Sequence, residues 1–210
     1  MYLQTAIFID SGYLDKVLEK EHHNVRIDFS KLIPHLATDV RLLRTYYYFC
    51  YPYKSTPPLE EEMKRIEGKQ AFINQIAALD DFALREGRLE HRGEDAQTGK
   101  PIYVQKRIDV KMAVDLTLLA TKNKITHAVI IAGDSDFIPA IEVAKNEGVH
   151  VTLVHGEKNK AHNDLIEICD KRIVIDAKFI SEVGYRTAAS RRRRSNKKAK
   201  AKPMIVPKTE

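Results

Sequence analysis

The sequence predicts an α/β protein with three layers, in which a mainly parallel central sheet lies between helices. Short apolar segments, typical of strands buried on both faces, alternate with segments whose apolar residues recur at helical spacing. The clearest case is Thr126–Ile141, THAVIIAGDSDFIPAI, in which a β-branched strand passes directly into a helix start. Alternating strands and helices favour parallel pairing with right-handed crossovers.

Capping and helix-breaking residues set the predicted boundaries in the first part of the chain. The first strand ends at Asp10, Asp28 caps a short helix, and Pro52 breaks the second strand. A long helix follows Pro58, because the apolar residues there fall on one helical face. The predicted elements are a strand over Tyr2–Ile9, a helix beginning at Ser11, a helix over Phe29–Leu36, a strand over Val40–Tyr53 and a helix over Leu59–Leu84.

A small hairpin insertion is predicted over Arg85–Arg107. Its strands lie near Arg88–Arg92 and Ile102–Lys106, and the turn between them contains Gly93 and Gly99. The insertion carries many charges of both signs. Mixed charge of this kind is typical of a solvated face, and it also suits a nucleic-acid groove, so both interpretations stay open.

The second half of the chain continues the alternation of strands and helices. Asp109 caps a helix, Gly133 ends a strand, Pro139 fits the first turn of a helix, and Gly148 ends that helix. The predicted elements are a helix over Asp109–Lys124, a strand over Ala128–Ala132, a helix that continues to Asn146, a strand over Val149–His155, a helical segment over Leu165–Cys169 and a strand over Arg172–Ile175.

The composition predicts a cytoplasmic globular protein that does not interact with membranes. Hydrophobic residues make up 43% of the 210 residues and charged residues 30%. No apolar run reaches the length of a membrane span, and the first residues lack the pattern of a secretory signal. Cys50 and Cys169 lie in strand-like apolar settings, where buried free thiols are expected rather than a disulfide or a zinc site.

The positive charge of the chain is concentrated at its end. The whole chain carries a net charge of +6, of which residues 191–210 contribute +8, so residues 1–190 sum to −2. From about Ala188 the sequence is of low complexity. We therefore expect one domain over residues 1–180 and a basic tail over residues 181–210 that is disordered in isolation.

Acidic residues occur at three separate junctions between a strand and a helix. Asp10 follows the first strand, the Asp134 and Asp136 pair follows the central one, and Asp109 begins a helix. Ligands of open α/β sheets bind at the carboxyl ends of the strands. Capping explains one carboxylate in the GDSDF turn but poorly explains two, because their repulsion requires a counter-charge. For that turn alone, a capping role and a metal-binding role stay equally open.

Several converging carboxylates favour one class of chemistry. Crowded carboxylates cannot all remain ionised without a cation, and oxygen ligands favour Mg²⁺ or Mn²⁺ over zinc. Such ions support phosphodiester hydrolysis. The eight histidines are scattered along the chain, and the sequence contains neither a nucleophile elbow nor a Walker-type loop. Catalysis by serine or cysteine is therefore disfavoured.

Three motifs occur in this order along the chain: FIDSGYL at Phe8–Leu14, KRIDVKMAVDL at Lys106–Leu116 and VIIAGDSDFIPAI at Val129–Ile141. Together they resemble the NYN domain, a family of PIN-like nuclease relatives that includes LabA-type bacterial proteins. A further segment, Ala161–Asp170, is similar to the closing element of that family, and the resemblance covers about Tyr2–Ile175.

The resemblance implies a PIN-like α/β/α fold over residues 1–180 and a ribonuclease site that depends on Mg²⁺ or Mn²⁺. Asp10, Asp109, Asp134 and Asp136 match the acidic positions of the family, and Asp115 matches a further acidic position that is a candidate ligand. The implied substrate is RNA, single-stranded or structured, and PIN-like domains often pair as homodimers.

Basic residues must hold the substrate, because an acidic pocket repels a nucleic acid. The tail could instead be a solubilising or targeting extension. The candidate RNA-binding residues are Arg88, Arg92, Lys106 and Arg107 in the hairpin, and Arg191, Arg192, Arg193, Arg194, Lys197 and Lys198 in the tail.

Two other functions compete with RNA cleavage. Many family members carry Asn where this chain has Tyr13, so a regulatory module that binds RNA without cleaving it is the first alternative. A phosphatase of the haloacid-dehalogenase type is disfavoured. That chemistry requires a second aspartate two residues after the first, where this chain has Gly12 after Asp10.

Overall fold

Six parallel strands form the central sheet of the computed structural model, which describes residues 3–99 and 101–185. A separate antiparallel hairpin supplies the other two strands of the described residues. In chain order the strands are β1 (Gln4–Asp10), β2 (Arg41–Phe49), β3 (Phe82–Glu86), β4 (Arg88–Glu94), β5 (Pro101–Lys106), β6 (His127–Ile131), β7 (His150–Gly156) and β8 (Lys171–Ile175).

Two layers of helices cover the sheet. The helices are α1 (Ser11–His22), α2 (Phe29–Leu36), α3 (Glu60–Ala77), α4 (Ile108–Thr121), α5 (Ile138–Asn146), α6 (Asn163–Ile168) and α7 (Ala177–Val183), and a 3₁₀ turn spans Ser135–Phe137. One layer contains α1, α2, α3 and α7, and the other contains α4, α5 and α6. The predicted three-layer fold is thereby confirmed.

The strand order β3-β2-β1-β6-β7-β8 places a topological switch point in the middle of the sheet. The chain builds outward from β1 to β3, then returns to pair β6 with the other side of β1. Connections on the two sides of β1 therefore run in opposite directions. A crevice opens between the carboxyl ends of such strands, and ligands of open α/β sheets bind there.

Burial of the central strands on both faces stabilises this arrangement. In β1, Ile7 and Phe8 point to opposite faces, and both are fully buried. Ile130 and Ile131 do the same in β6. Each such side chain contributes about 1.5–3 kcal/mol relative to an exposed position. The uninterrupted apolar runs seen in the sequence are the consequence of this two-sided burial.

The predicted helix over Leu59–Leu84 is wrong at its carboxyl end. Helix α3 ends at Ala77, Asp81 adopts a left-handed conformation with φ of 60°, and the chain then enters β3. Asp tolerates this conformation better than most residues. The helix α7 was not predicted, and the predicted strand over Val40–Tyr53 is shorter, since β2 ends at Phe49.

The predicted hairpin is confirmed, and its two ends lie together. The Gly87 amide donates to the Phe49 carbonyl at 2.7 Å, which ties the start of the hairpin to the end of β2. A Cβ atom on Gly87 would lie 2.6 Å from Ile108 Cδ1, at the start of α4. Arg85, assigned to the hairpin by the sequence analysis, lies instead on β3.

The described fold continues past the predicted boundary after residue 180. Tyr185 donates its backbone amide to the Arg26 carbonyl at 2.8 Å, and Gly184 forms a β-bridge with Ile27. The division into residues 1–180 and 181–210 remains a prediction. Over the parts of the chain that the structure describes, no helix is long and apolar enough to cross a membrane.

Candidate active site

Asp10 and Asp134 lie on either side of the switch point. Ile9 of β1 is paired with Ile131 of β6, so Asp10 follows directly beside the end of the neighbouring strand. The chain leaves β6 through Gly133 and reaches Asp134 at the start of the 3₁₀ turn. The sheet therefore brings together two acids that are separated by more than half of the chain.

Asp10 is both a helix cap and a poorly solvated acid. Its Oδ1 atom accepts hydrogen bonds from the amides of Gly12 at 2.8 Å and Tyr13 at 3.3 Å, and so caps α1. Burial raises the pKa of Asp10 to about 6, against the opposing effect of these hydrogen bonds. The charge of Asp109 raises this pKa further. The Asp10 carboxyl group therefore has a pKa well above that of an ordinary aspartate.

Asp109 links the two sides of the crevice. It lies in the first turn of α4, and α4 packs against the 3₁₀ turn that contains Asp136. The pKa of Asp109 is raised first by burial and then by the charges of Asp134 and Asp136, and Lys106 partly offsets this effect. The predicted acids Asp10, Asp109, Asp134 and Asp136 therefore share one electrostatic neighbourhood.

The GDSDF turn presents its acids to solvent. Asp134 and Asp136 are both exposed, and Asp134 Oδ1 accepts the Asp136 amide at 3.0 Å. The hydrogen bond caps the 3₁₀ turn, so the capping role is present. It uses one oxygen of Asp134 and leaves the Asp136 carboxylate outside the cap.

The four acids supply the kind of ligand atom that a hard cation prefers, but their side chains are not arranged around a single point. Within residues 3–99 and 101–185, no lysine or arginine forms an ion pair with Asp10, Asp109, Asp134 or Asp136. Carboxylate oxygens without a counter-charge are the donors that Mg²⁺ and Mn²⁺ prefer. However, no three carboxylate, imidazole or thiol groups of those residues lie close enough together to hold one ion.

Asp115 is held by protein partners, away from this group. Arg85 donates from Nε to Asp115 Oδ2 at 2.8 Å and from Nη2 to Oδ1 at 3.3 Å. Tyr48 donates its hydroxyl to the same Oδ2 atom at 2.9 Å. The sequence analysis did not pair Arg85 with Asp115, because the two residues are 30 positions apart on different elements.

The Tyr13 side chain contacts two loops at the carboxyl edge of the sheet. A Cβ atom on Gly133 would lie 2.3 Å from the Tyr13 ring, so only glycine permits this close approach. The Tyr13 hydroxyl donates to the Asn159 carbonyl at 2.8 Å and accepts the Gly156 amide at 3.0 Å. Tyr13 therefore positions the segment that bears Asp134.

The hairpin approaches the acidic edge through a residue that the sequence analysis did not select. A Cβ atom on Gly12 would lie 2.6 Å from Gln105 Nε2, so the Gln105 side chain lies against the turn that Asp10 caps. The alternation of β5 could have indicated it, because Gln105 shares a face with Tyr103.

The predicted basic residues fall into two groups. Arg88, Arg92, Lys106 and Arg107 lie on or directly after the hairpin strands, and all four are exposed. Arg191, Arg192, Arg193, Arg194, Lys197 and Lys198 lie outside the described residues.

The parallel sheet, its switch point and the acids at its carboxyl edge define a PIN-like α/β/α domain. The chain belongs to the NYN domain family, whose model matches residues 4–176. NYN domains are generally nucleases, and they typically use divalent metals.

The similar proteins add support for the fold. Over 79 residues, or 38% of this chain, the sequence is 33% identical to the uncharacterized protein y4oD of Sinorhizobium fredii (strain NBRC 101917 / NGR234), and the match spans 32% of that relative's length. The solved structure of a protein of unknown function, VPA0982 from Vibrio parahaemolyticus RIMD 2210633, superposes with a TM-score of 0.61. That match has 14% identity and covers 88% of this chain and 97% of the other, so it supports the fold alone.

Proposed function

We propose that this protein is an endoribonuclease that depends on Mg²⁺ or Mn²⁺. The observation that carries the proposal is the position of Asp109, whose carboxylate lies within the fields of Asp10, Asp134 and Asp136 without a basic ion-pair partner among the described residues. Such repulsion destabilises an unliganded site, and a divalent cation relieves it. Membership of a family of nucleases gives the chemistry that the cation would serve.

Asp10, Asp109, Asp134 and Asp136 would hold the cation. When bound, the cation supplies Lewis acidity for the phosphoryl oxygens and lowers the pKa of water. Asp134 and Asp136 are exposed, and a change of rotamer on a surface turn costs little. Asp115 is excluded from the proposed ligand set, because Arg85 and Tyr48 occupy both of its oxygens.

In the proposed hydrolysis, a water oxygen bonds to phosphorus and one bridging P–O bond of the backbone breaks. The departing oxygen takes up a proton. Arg88, Arg92, Lys106 and Arg107, together with the tail cations from Arg191 to Lys198, would neutralise phosphates that the acidic edge repels.

Purified protein incubated with end-labelled RNA and Mn²⁺ tests the proposal. The Asp134→Asn variant is expected to lose cleavage by a factor of about 10²–10³, as when one charge-stabilising group is removed from an active site. Asp39→Asn is the matched control, because Asp39 is exposed in the turn before β2, at the opposite edge of the sheet. Equal cleavage by all three proteins would identify a contaminating nuclease and contradict the proposal.

A non-cleaving RNA-binding module is the second candidate function. It is favoured by the absence, among the described residues, of any compact group of three metal-ligating side chains. In the same experiment, RNA that binds the unmodified protein and stays intact across a Mn²⁺ and Mg²⁺ series would support this candidate over the nuclease.

A further inference from the structure

Three aromatic side chains form a cluster on the hairpin side of the acidic edge. Tyr103 of β5 and His91 of β4 have ring centroids 5.6 Å apart, and Tyr53, from the segment after β2, lies 5.2 Å from Tyr103 and 5.7 Å from His91. We call these three residues the aromatic patch. The Tyr103 side chain is 40% exposed and His91 is also exposed, so the rings are not part of either hydrophobic core.

The aromatic patch lies on the same face of the hairpin as Gln105, which reaches the turn that Asp10 caps. His91 and Tyr103 are paired directly across the hairpin, and Leu89 and Gln105 form the next pair on the same face. Gln105 lies against Gly12, whose amide donates to Asp10. Tyr103 and Gln105 are two residues apart, which is about 7 Å along a strand. That separation matches the rise of about two stacked bases.

At the base of the hairpin, the positive charges outnumber the carboxylates that pair with them. Arg88 and Lys106 are paired directly opposite each other, and like charges in this arrangement are unfavourable in a free hairpin. Arg88 and Arg92 share a single carboxylate, Glu90, at 3.9 Å and 3.3 Å. Arg107 follows Lys106 and adopts a left-handed backbone with φ of 75°, a conformation that is unfavourable for a residue with a side chain.

We propose that the aromatic patch stacks unpaired bases of a single-stranded RNA while Arg107, two residues before Asp109, holds a phosphate that leads to the acids. Arg88 and Lys106 add positive charge from the other face of the hairpin. The proposal rests on the ribonuclease function proposed above and narrows its substrate class. Exposed aromatic rings beside a basic groove are the means by which proteins bind single strands without reading sequence. A duplex cannot use them, because its bases are already stacked and paired.

The proposal is tested by binding without metal, so that neither cleavage nor the acidic site affects the result. Fluorescence anisotropy in EDTA compares a short, unstructured, labelled RNA with the same strand in a duplex. Tyr103→Ala is expected to weaken single-strand binding about tenfold, within the range for loss of one stacked base. Duplex binding, which depends on phosphate contacts alone, is expected to change less than twofold, a difference of about 0.4 kcal/mol.

Two control variants separate stacking from other effects. Tyr103→Phe keeps the ring and is expected to retain most of the affinity. Tyr185→Ala removes another exposed tyrosine, whose backbone amide donates to Arg26 between α1 and α2, and is expected to have no effect. RNA containing 2-aminopurine gives a direct measurement, because stacking quenches its fluorescence. The quenching should persist with Tyr103→Phe and be lost with Tyr103→Ala.

The outcomes distinguish this proposal from the nuclease proposal. Equal affinity of the Tyr103→Ala variant and the unmodified protein for the single strand would overturn the stacking role and assign the aromatic patch to protein contacts. Equal weakening of single-strand and duplex binding would also overturn it. Neither result concerns Asp134-dependent cleavage, which the Mn²⁺ experiment measures separately.

Discussion

The Asp10 carboxylate caps a helix and also carries a charge that its surroundings solvate poorly. Its Oδ1 atom accepts the two hydrogen bonds that cap the helix, and the side-chain oxygen of an asparagine can accept hydrogen bonds from the same two amides. The charge therefore adds little to the local structure. Active-site groups of this kind commonly reduce stability for the sake of function.

We predict that Asp10→Asn stabilises the metal-free protein at neutral and alkaline pH. The folded pKa of Asp10 is raised to about 6 from 3.8. Its contribution to stability is therefore fully present below pH 3.8 and is lost as the pH rises through about 6. The neutral variant avoids this loss, which amounts to about 2–3 kcal/mol above neutral pH.

Urea unfolding in EDTA at several pH values measures the effect. The variant's gain in free energy of unfolding over the unmodified protein should become smaller as the pH falls toward 4. The Asp39→Asn control should show no such pH dependence. A difference that is the same at acid and alkaline pH would contradict the explanation by charge burial. The Asp10→Asn variant should also lose Mn²⁺-dependent cleavage.

The residues of the site differed in how far sequence could identify them. The acids were predictable because each follows a strand or begins a helix, and those positions meet at one edge of a parallel sheet. The roles of Asp115 and Tyr13 were not, because each depends on partners far along the chain. Arg85 is 30 positions from Asp115, and Asn159 is 146 positions from Tyr13.

At the scale of elements, the Glu21 side chain of α1 accepts four hydrogen bonds from the loop after β7. Glu21 Oε2 accepts the amides of Glu157 and Lys158, both at 3.0 Å, and Oε1 accepts the Asn159 amide at 2.6 Å and its side-chain amide at 3.0 Å. Partial burial acts to raise the pKa of Glu21, but these donors together hold the pKa below its usual value. The same loop receives the Tyr13 hydroxyl.

We predict that Glu21→Gln destabilises the fold by about 1–3 kcal/mol, because a neutral amide cannot accept all of these hydrogen bonds. The folded pKa of Glu21 is lowered, so its contribution is present above the unfolded value of 4.5 and is lost as the pH falls through the folded pKa. The difference in free energy of unfolding between the Glu21→Gln variant and the unmodified protein should therefore become smaller at acid pH. Hydrogen exchange at residues 157–159 checks that the effect is local, and Glu19→Gln, on the exposed face of α1, is the control.

Elements with a clear apolar pattern, either a continuous run or a helical spacing, were predicted, and elements without such a pattern were not. The strands of the switch point are uninterrupted apolar runs, so they were identified to within two residues at their ends. Strand β3 was hidden because Phe82 and Leu84 follow an amphipathic helix without a glycine or proline to mark its end. The left-handed Asp81 makes that turn, and propensity alone does not indicate it.

For the whole molecule, the separation of charge along the chain matters most. Residues 1–190 carry a net charge of −2 and residues 191–210 carry +8. Association with RNA depends on the number of phosphates neutralised, and each adds about 0.7 to the slope of log affinity against log salt for a single strand.

We predict that replacing Arg191, Arg192, Arg193 and Arg194 with glutamine in the full chain weakens RNA binding and flattens that slope by up to about 3. Anisotropy measured across a salt series, in EDTA, gives both quantities. Cleavage at saturating enzyme should survive, because the proposed catalytic acids are untouched. An unchanged slope would assign the tail to solubility or targeting instead.

Assembly and location are also predictions at this scale. Light scattering coupled to gel filtration tests the predicted homodimer, and fractionation of cells tests the predicted cytoplasmic location. Neither result would alter the site, since every acid proposed as a ligand comes from one chain.

The close approach of Gly87 to Ile108 has a consequence for how a fold of this kind can vary. Because the hairpin begins after β3 and ends at the start of α4, at neighbouring points, its length and sequence can vary without displacing any aspartate. Under the ribonuclease function proposed above, an exchange of this module would direct the same chemistry to a different RNA. A graft of a foreign hairpin between those two residues should transfer preference and preserve turnover.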